Sequence, residues 1–203
     1  PYFNIRDYSY GPQSQDRRHV LVFNYIYDVP KLGRLLNSRP LGWVVDNWQI
    51  SGITSFISGA PFTPNFSTTD GADITGSEIG ARIVVTGNPI LSKGDKTFYR
   101  TFDTSVFQRP AKGDFGNAGT GILYGPGVNN WDIAVSKRFP LWSEQRTLTF
   151  RSEFFNAWNH TQFSGVNSTA RFDAQGNQTN ALFGSYSSSR PPRTIQFSLK
   201  LVF

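Results

Sequence analysis

The side chains able to do chemistry are few and scattered. Among 203 residues there is no cysteine, and the two histidines, His19 and His160, lie far apart in the chain. Thiol catalysis, a zinc ribbon and a disulfide scaffold are thereby excluded. His19 follows Asp16, Arg17 and Arg18, and His160 sits between Asn159 and Thr161, so each reads as a polar residue at the end of an extended segment. Asp70, Asp73 and Glu78 offer oxygens in a Gly- and Thr-rich stretch, but their spacing is not that of an EF-hand loop. The run GNAGTG at 116–121 lacks both the lysine and the strand–helix setting of a phosphate-binding loop. No catalytic residue, metal site or cofactor is expected. One charged constellation remains. Asp132 and Arg138 share one side of an extended segment, and Arg151 and Glu153 share one side of the next. Groups so placed suit a ladder of ion pairs across strands, or a polar path for a ligand.

These groups must be positioned by β-structure. Aromatic residues make up 15% of the chain and charged residues 17%, against about 25% charged in soluble domains, so the chain is not disordered. No stretch approaches the roughly 18 consecutive apolar residues of a membrane-spanning helix. The net charge is +6, but no basic run of five occurs, and a nucleic-acid partner is not expected. Scattered cations suit the phosphates of lipid or lipopolysaccharide instead. Methionine is absent even at position 1, so the chain is expected to begin inside a longer or processed protein.

Five segments alternate with a period of two: 17–29, 46–58, 130–139, 147–159 and 193–203. Leu21, Phe23, Tyr25 and Tyr27 share one side of the first. Trp48, Ile50, Gly52, Thr54 and Phe56 share one side of the second, and Trp131, Ile133, Val135 and Phe139 one side of the third. Leu148, Phe150, Phe154 and Trp158 follow on the fourth, and Ile195, Phe197, Leu199, Leu201 and Phe203 on the last. Opposite sides are polar or mixed. Each segment spans about ten to thirteen residues, whereas strands of soluble sheets average roughly 5–6 and a tilted transmembrane strand needs about 9–11.

The connections alternate as well. Residues 140–146 form a short one, and 30–45 a moderate one with room for a helical turn near Lys31–Leu36. Residues 59–129 and 160–192 are long and polar, as are the exterior loops of outer-membrane barrels. An antiparallel transmembrane β-barrel is therefore predicted, with the short connections in the periplasm and the long loops outside. Trp43, Trp48 and Trp142 fall near the periplasmic turns, and Trp131 and Trp158 at the outer ends, as an aromatic girdle requires. Lys137 interrupts the apolar side of its strand, and its stem is expected to lie along lipid with the amine in water. The competing class is a soluble cell-surface β-sandwich that contacts sugars through Phe62, Phe66, Phe98, Tyr99 and Phe102.

The terminal stretch Ile195–Phe203 resembles the assembly signal of bacterial outer-membrane proteins, carried here by Phe197, Leu199, Leu201 and Phe203. More widely, the chain is similar to the C-terminal barrel region of TonB-dependent receptors of the Oar-like type, whose members often carry a carboxypeptidase-regulatory-like domain. The matching stretches are DRRHVLVFNYIYDVP (16–30), NWQISGITSFISGAPFT (47–63), FDTSVFQRP (102–110), GNAGTGILYGPGVNNWDIAVSKRF (116–139) and FRSEFFNAWNHTQF (150–163). The resemblance implies a plugged barrel of about 22 strands, of which this chain supplies the last five. It also implies recognition by the barrel-assembly machinery, coupling to the TonB system through parts outside this chain, and an unidentified ligand at the outer loops.

Overall fold

The computed structural model describes residues 6, 9–35, 39–141 and 143–203, so Trp142 lies outside the described residues. The chain is all-β apart from short helices. In chain order the strands are β1 (Val20–Asp28), β2 (Trp48–Ile57), β3 (Pro61–Phe62), β4 (Asn65–Thr68), β5 (Val84–Val85), β6 (Phe107–Gln108) and β7 (Leu123–Tyr124). Then come β8 (Val128–Leu141), β9 (Ser143–Phe155), β10 (Phe163–Val166), β11 (Thr169–Phe172), β12 (Tyr186–Ser189) and β13 (Thr194–Val202). Helices α1 (Leu32–Leu35) and α2 (Arg39–Val45) lie between β1 and β2. Two compact units result. A strand unit comprises 19–57, 128–161 and 191–203; a loop unit comprises 58–127, 162–190 and the segment before His19.

The strand unit is one antiparallel sheet in the order β1-β2-β8-β9-β13. Its register keeps the apolar sides together: Tyr25 faces Gly52, Gly52 faces Ile133, Ile133 faces Phe154, and Phe154 faces Ile195. A slip of one residue anywhere would turn a whole apolar row to the other face. Small residues on this face are covered by large neighbours. A Cβ on Gly52 would lie 2.6 Å from the Tyr25 hydroxyl, so that ring occupies the space a side chain would take. Phe150 and Phe197 stack at 6.0 Å across the diagonal beside Ser152.

Strand ends depart from the sequence reading for local reasons. β8 continues through Pro140 to Leu141 and β9 starts at Ser143, so the connection expected over 140–146 is much tighter. Pro140 is tolerated because the register breaks beside it, between Pro140 and Leu141. β9 stops at Phe155, short of residue 159, because Asn156 and Asn159 take left-handed backbone (φ 51° and 50°) and turn the chain.

Between β1 and β2 the structure has two helices where one turn was expected. Proline within the first turn of α2, at Pro40, is a helix-start signal. The two helices meet glycine on glycine. A Cβ on Gly33 would fall 2.0 Å from the Gly42 Cα, and the Gly33 N–H donates to Asp46 Oδ1 at 2.8 Å. Gly33→Ala is therefore expected to wedge the hairpin apart and cost about 1–3 kcal/mol, the usual penalty of overpacking. Thermal unfolding in detergent, with amide exchange at Gly33 as the local readout, checks this; an unshifted melting temperature would refute it.

The stretches 59–129 and 160–192, expected as long polar loops, instead fold together into the loop unit with its own core. Ile83, Phe102, Phe107, Ala118, Leu123, Ala170, Phe172 and Phe183 are buried. Phe102, Phe107 and Phe183 form a mutual edge-to-face triad with ring centroids 5.3–5.7 Å apart. The two stretches share hydrogen bonds: β4 pairs with β11 in parallel, and Thr101 donates from both its N–H and its hydroxyl to the Gly184 carbonyl. The Asn117 side chain bonds both the N–H and the carbonyl of Val85, acting as a strand partner made of one amide.

Candidate functional site

Three surfaces carry chemistry. The first is the apolar face of the five-stranded sheet. In a bilayer every backbone group must pair within the sheet, and apolar side chains must face acyl chains. Exposed Phe23, Ile50, Phe197, Leu199 and Leu201 all sit on this face. Aromatic clusters bound it at both ends. At one end Phe56 meets Trp131 edge-on at 6.0 Å, and Trp131 meets Trp158 at 6.0 Å. The Trp131 Nε1 donates to Asn129 Oδ1 at 2.9 Å. At the other end Trp43 meets Phe139 at 5.2 Å, and the Trp48 Nε1 donates to the Val44 carbonyl at 2.9 Å. Trp48 and Phe56 bracket eight residue steps of β2, about 26 Å at roughly 3.3 Å per residue and about 20 Å in height at a tilt near 40°. That height fits a thin hydrocarbon layer.

Lys137 corrects the expectation of an amine in water. It is 4% exposed, and its Nζ donates to the carbonyls of Val44 (2.8 Å) and Asp46 (2.7 Å). The ring centroids of Trp48 and Phe139 each lie 5.0 Å from that nitrogen. A cation thus satisfies the carbonyls that α2 leaves open at its C-terminus. Sequence reasoning missed this role. Its only trace was a lysine breaking an apolar row between aromatics.

The second surface is the opposite, polar face, which bears a concavity of about 660 Å³ lined by Asn24, Ser51, Ile53, Asp132, Arg151 and Glu153 among others. The expected charge cluster is only partly gathered there. Arg151 and Glu153 pair at 2.8 Å, within one strand instead of across strands. Asp132 Oδ1 accepts the Asn156 N–H at 3.0 Å and so finishes the β9 turn. Arg138 faces Thr149, a further two positions along from the Ser136–Arg151 pair. The Arg151–Glu153 pair is solvated and contributes about 0–1 kcal/mol; its fixed charges on a polar wall matter more than its stability. Gln49 donates to Asp28 across β1 and β2 at 2.9 Å. Exposed Ile26, Ile53 and Phe155 form an apolar strip on the same face.

The third surface belongs to the loop unit. Arg109 pairs with Asp70 at 2.9 Å and also donates to the Asp173 carbonyl, beside a cleft of about 690 Å³ of mixed lining, with Asp73, Lys112 and Gln175 among Ile74, Pro110 and Ala111. Asp73 Oδ1 accepts the Gly76 N–H at 2.9 Å. Elsewhere on this unit Phe163 stacks on Tyr186 at 3.9 Å, with Phe98 5.6 Å from Phe163 and exposed Tyr99 4.9 Å from Phe98. Of the five aromatics expected to contact sugars, Phe102 lies in the core and Phe62 and Phe66 pack against it, leaving Phe98 and Tyr99 outside. Phe197, Leu199 and Leu201 stand exposed on β13, with Phe203 beyond it. His19 precedes β1, and the His160 carbonyl accepts from Asn156.

Carboxylates of the loop unit are held ionised by specific partners. The Arg109 guanidinium keeps Asp70 below the usual carboxylate range. The Ser105 hydroxyl and then its N–H do so for Asp103, and the Asn177 side chain foremost for Asp173. A depressed folded value stabilises the fold above the unfolded pKa of about 3.9, and that contribution is lost as pH falls through the folded value. The contribution of these three carboxylates to the loop unit is therefore expected to be constant from neutral pH to about pH 4 and to fade below. Amide exchange at Val85 and Thr101 reads this directly, and protection that weakens already between pH 7 and 5 would contradict it.

No curated protein and no solved structure matches the chain. The description "Outer membrane beta barrel domain" matches residues 1–196. That match displaces the soluble β-sandwich reading. A two-faced antiparallel sheet of membrane-length strands with aromatic clusters at both ends is the geometry such a domain requires, and the chain belongs to the outer membrane beta barrel domain family, at home in the bacterial outer membrane.

Proposed function

We propose that the chain forms the last five strands of a TonB-dependent-receptor-like barrel of the Oar type, with about 22 strands in the whole wall. Its work is capture of a ligand by the loop unit at the cell exterior and passage along the polar face, without covalent chemistry. The α1–α2 end lies in the periplasm. Partners are outer-membrane phospholipid and lipopolysaccharide, the barrel-assembly machinery acting on the β13 signal, and the TonB system acting through other parts of the same protein. The observation that carries this reading is the loop unit itself: connections folded around their own core present a cleft of mixed polar and apolar lining and an aromatic patch. A barrel needing only to span the membrane has no use for a rigid surface there.

The test is uptake. Cells lacking the whole protein, and cells lacking TonB, should lose uptake of the same labelled member from a panel of oligosaccharides, peptides and metal chelates. Uptake unchanged by the first deletion across the panel would defeat the transport reading. Extraction of the full-length protein from envelopes by carbonate without detergent is not expected.

A further inference from the structure

The connection between β1 and β2 carries features a periplasmic turn does not need. Trp43 is 64% exposed and Val44 57%, and Leu32 and Leu41 are exposed too. They are held in place firmly. Lys137 and Trp48, both on the lipid-side face of the sheet, bond the Val44 carbonyl, and Trp43 touches Phe139 of that same face. Helix α2 is thus fastened against the lipid side of the wall, where Trp43 continues the apolar surface of β8, and Leu41 and Val44 are exposed on the same helix. The charge pattern agrees. From Asp28 to Asp46 the sequence has three cations, Lys31, Arg34 and Arg39, against two carboxylates, Asp28 and Asp46, and the Asp46 carboxylate is taken up by the Gly33 N–H. An apolar patch beside a lipid-facing wall, in a stretch of sequence with a surplus of cations, matches the headgroup boundary of an anionic bilayer.

We propose that the α1–α2 hairpin is an interfacial anchor: it seats Leu41, Trp43 and Val44 among the headgroup-proximal acyl carbons of the inner-leaflet phospholipids, and the surplus of cations in its sequence favours their phosphates. The seating explains why a seven-residue helix, too short to persist alone, keeps its apolar residues outward. The choice of leaflet rests on the orientation proposed above.

The test uses the full-length protein in vesicles of phosphatidylethanolamine and phosphatidylglycerol at 3:1. An environment-sensitive fluorophore is placed at Val44→Cys and, in a second variant, at Leu41→Cys; both must show heat-modifiable migration as proof of a folded barrel. A blue-shifted emission is expected, quenched at least twofold more by a nitroxide at acyl carbon 5 than by one at carbon 12, and unchanged by tenfold lipid dilution. Replacing Lys31, Arg34 and Arg39 together by glutamine should reduce that quenching about twofold. Solvent-like emission without nitroxide quenching overturns the proposal, and a blue shift that disappears on lipid dilution overturns it in favour of a second copy covering the patch. Orientation is read separately, by labelling Lys31→Cys with an impermeant maleimide before and after outer-membrane permeabilisation. Labelling of intact cells would refute the leaflet while leaving the anchoring intact.

Discussion

Phe102→Ala is expected to unfold the loop unit while the barrel wall survives. The ring is 2% exposed and meets Phe62, Phe107 and Phe183. Truncating a buried phenylalanine costs about 3–5 kcal/mol in lost transfer energy and cavity formation. The edge-to-face partners contribute within that sum. That is a large share of the roughly 5–15 kcal/mol that holds a domain, and the core that remains has seven buried members. The strand unit has its own ladder of hydrogen bonds. Limited proteolysis of the purified variant in detergent should cut within 58–127 and 162–190 at least tenfold faster than wild type, with heat-modifiable migration retained. Phe102→Leu should cost under about 1.5 kcal/mol, since it keeps most of the volume. Loss of barrel migration in Phe102→Ala would mean that the wall depends on the loop unit.

Lys137→Ala should be the most damaging single change in the wall. The ammonium makes two charge-assisted hydrogen bonds, each contributing about 1.5–3 kcal/mol, and lies near two aromatic faces, which add about 0.5–2 kcal/mol. These gains are not additive, and the expected net loss is about 3 kcal/mol. Lys137→Met keeps the apolar stem and should lose about 2 kcal/mol, which separates packing from charge. Both variants should raise amide exchange through the α2 region and shift the Trp48 environment, because the Val44 carbonyl loses one of its two donors. Unchanged exchange there in Lys137→Ala would show that the helix is held by its other ties, the glycine contact and the Trp43 and Trp48 contacts, without the ammonium.

Much of the wall was legible because its signal is periodic. The side of β8 bearing Trp131, Ile133 and Val135 and the side of β13 bearing Phe197, Leu199 and Leu201 are set by alternation, and lipid permits no other arrangement. The loop unit was not legible, for a physical reason. Its strands are two to four residues long, too short to show a period, and its core residues come from distant stretches: Ile83, Phe102, Phe172. Polar composition hid them. Of the charged group, Arg151 and Glu153 share a strand face by spacing alone and so were found together, whereas the fate of Asp132 depended on a backbone turn at Asn156 that spacing does not encode. Lys137 looked like an exception to be excused, because the helix whose end it caps has only seven residues.

The pairing of β4 with β11 has a consequence in time. The two strands belong to excursions separated by the whole β8–β9 hairpin, and Thr101 waits in the same way for Gly184. The first excursion cannot be completed when it emerges, because its partners lie in the second. Contacts this remote along the chain form late, so the loop unit closes only once the hairpin and residues up to 190 have followed. With β13 alone still to emerge, a closed loop unit would then report that four of the five long strands have already been made.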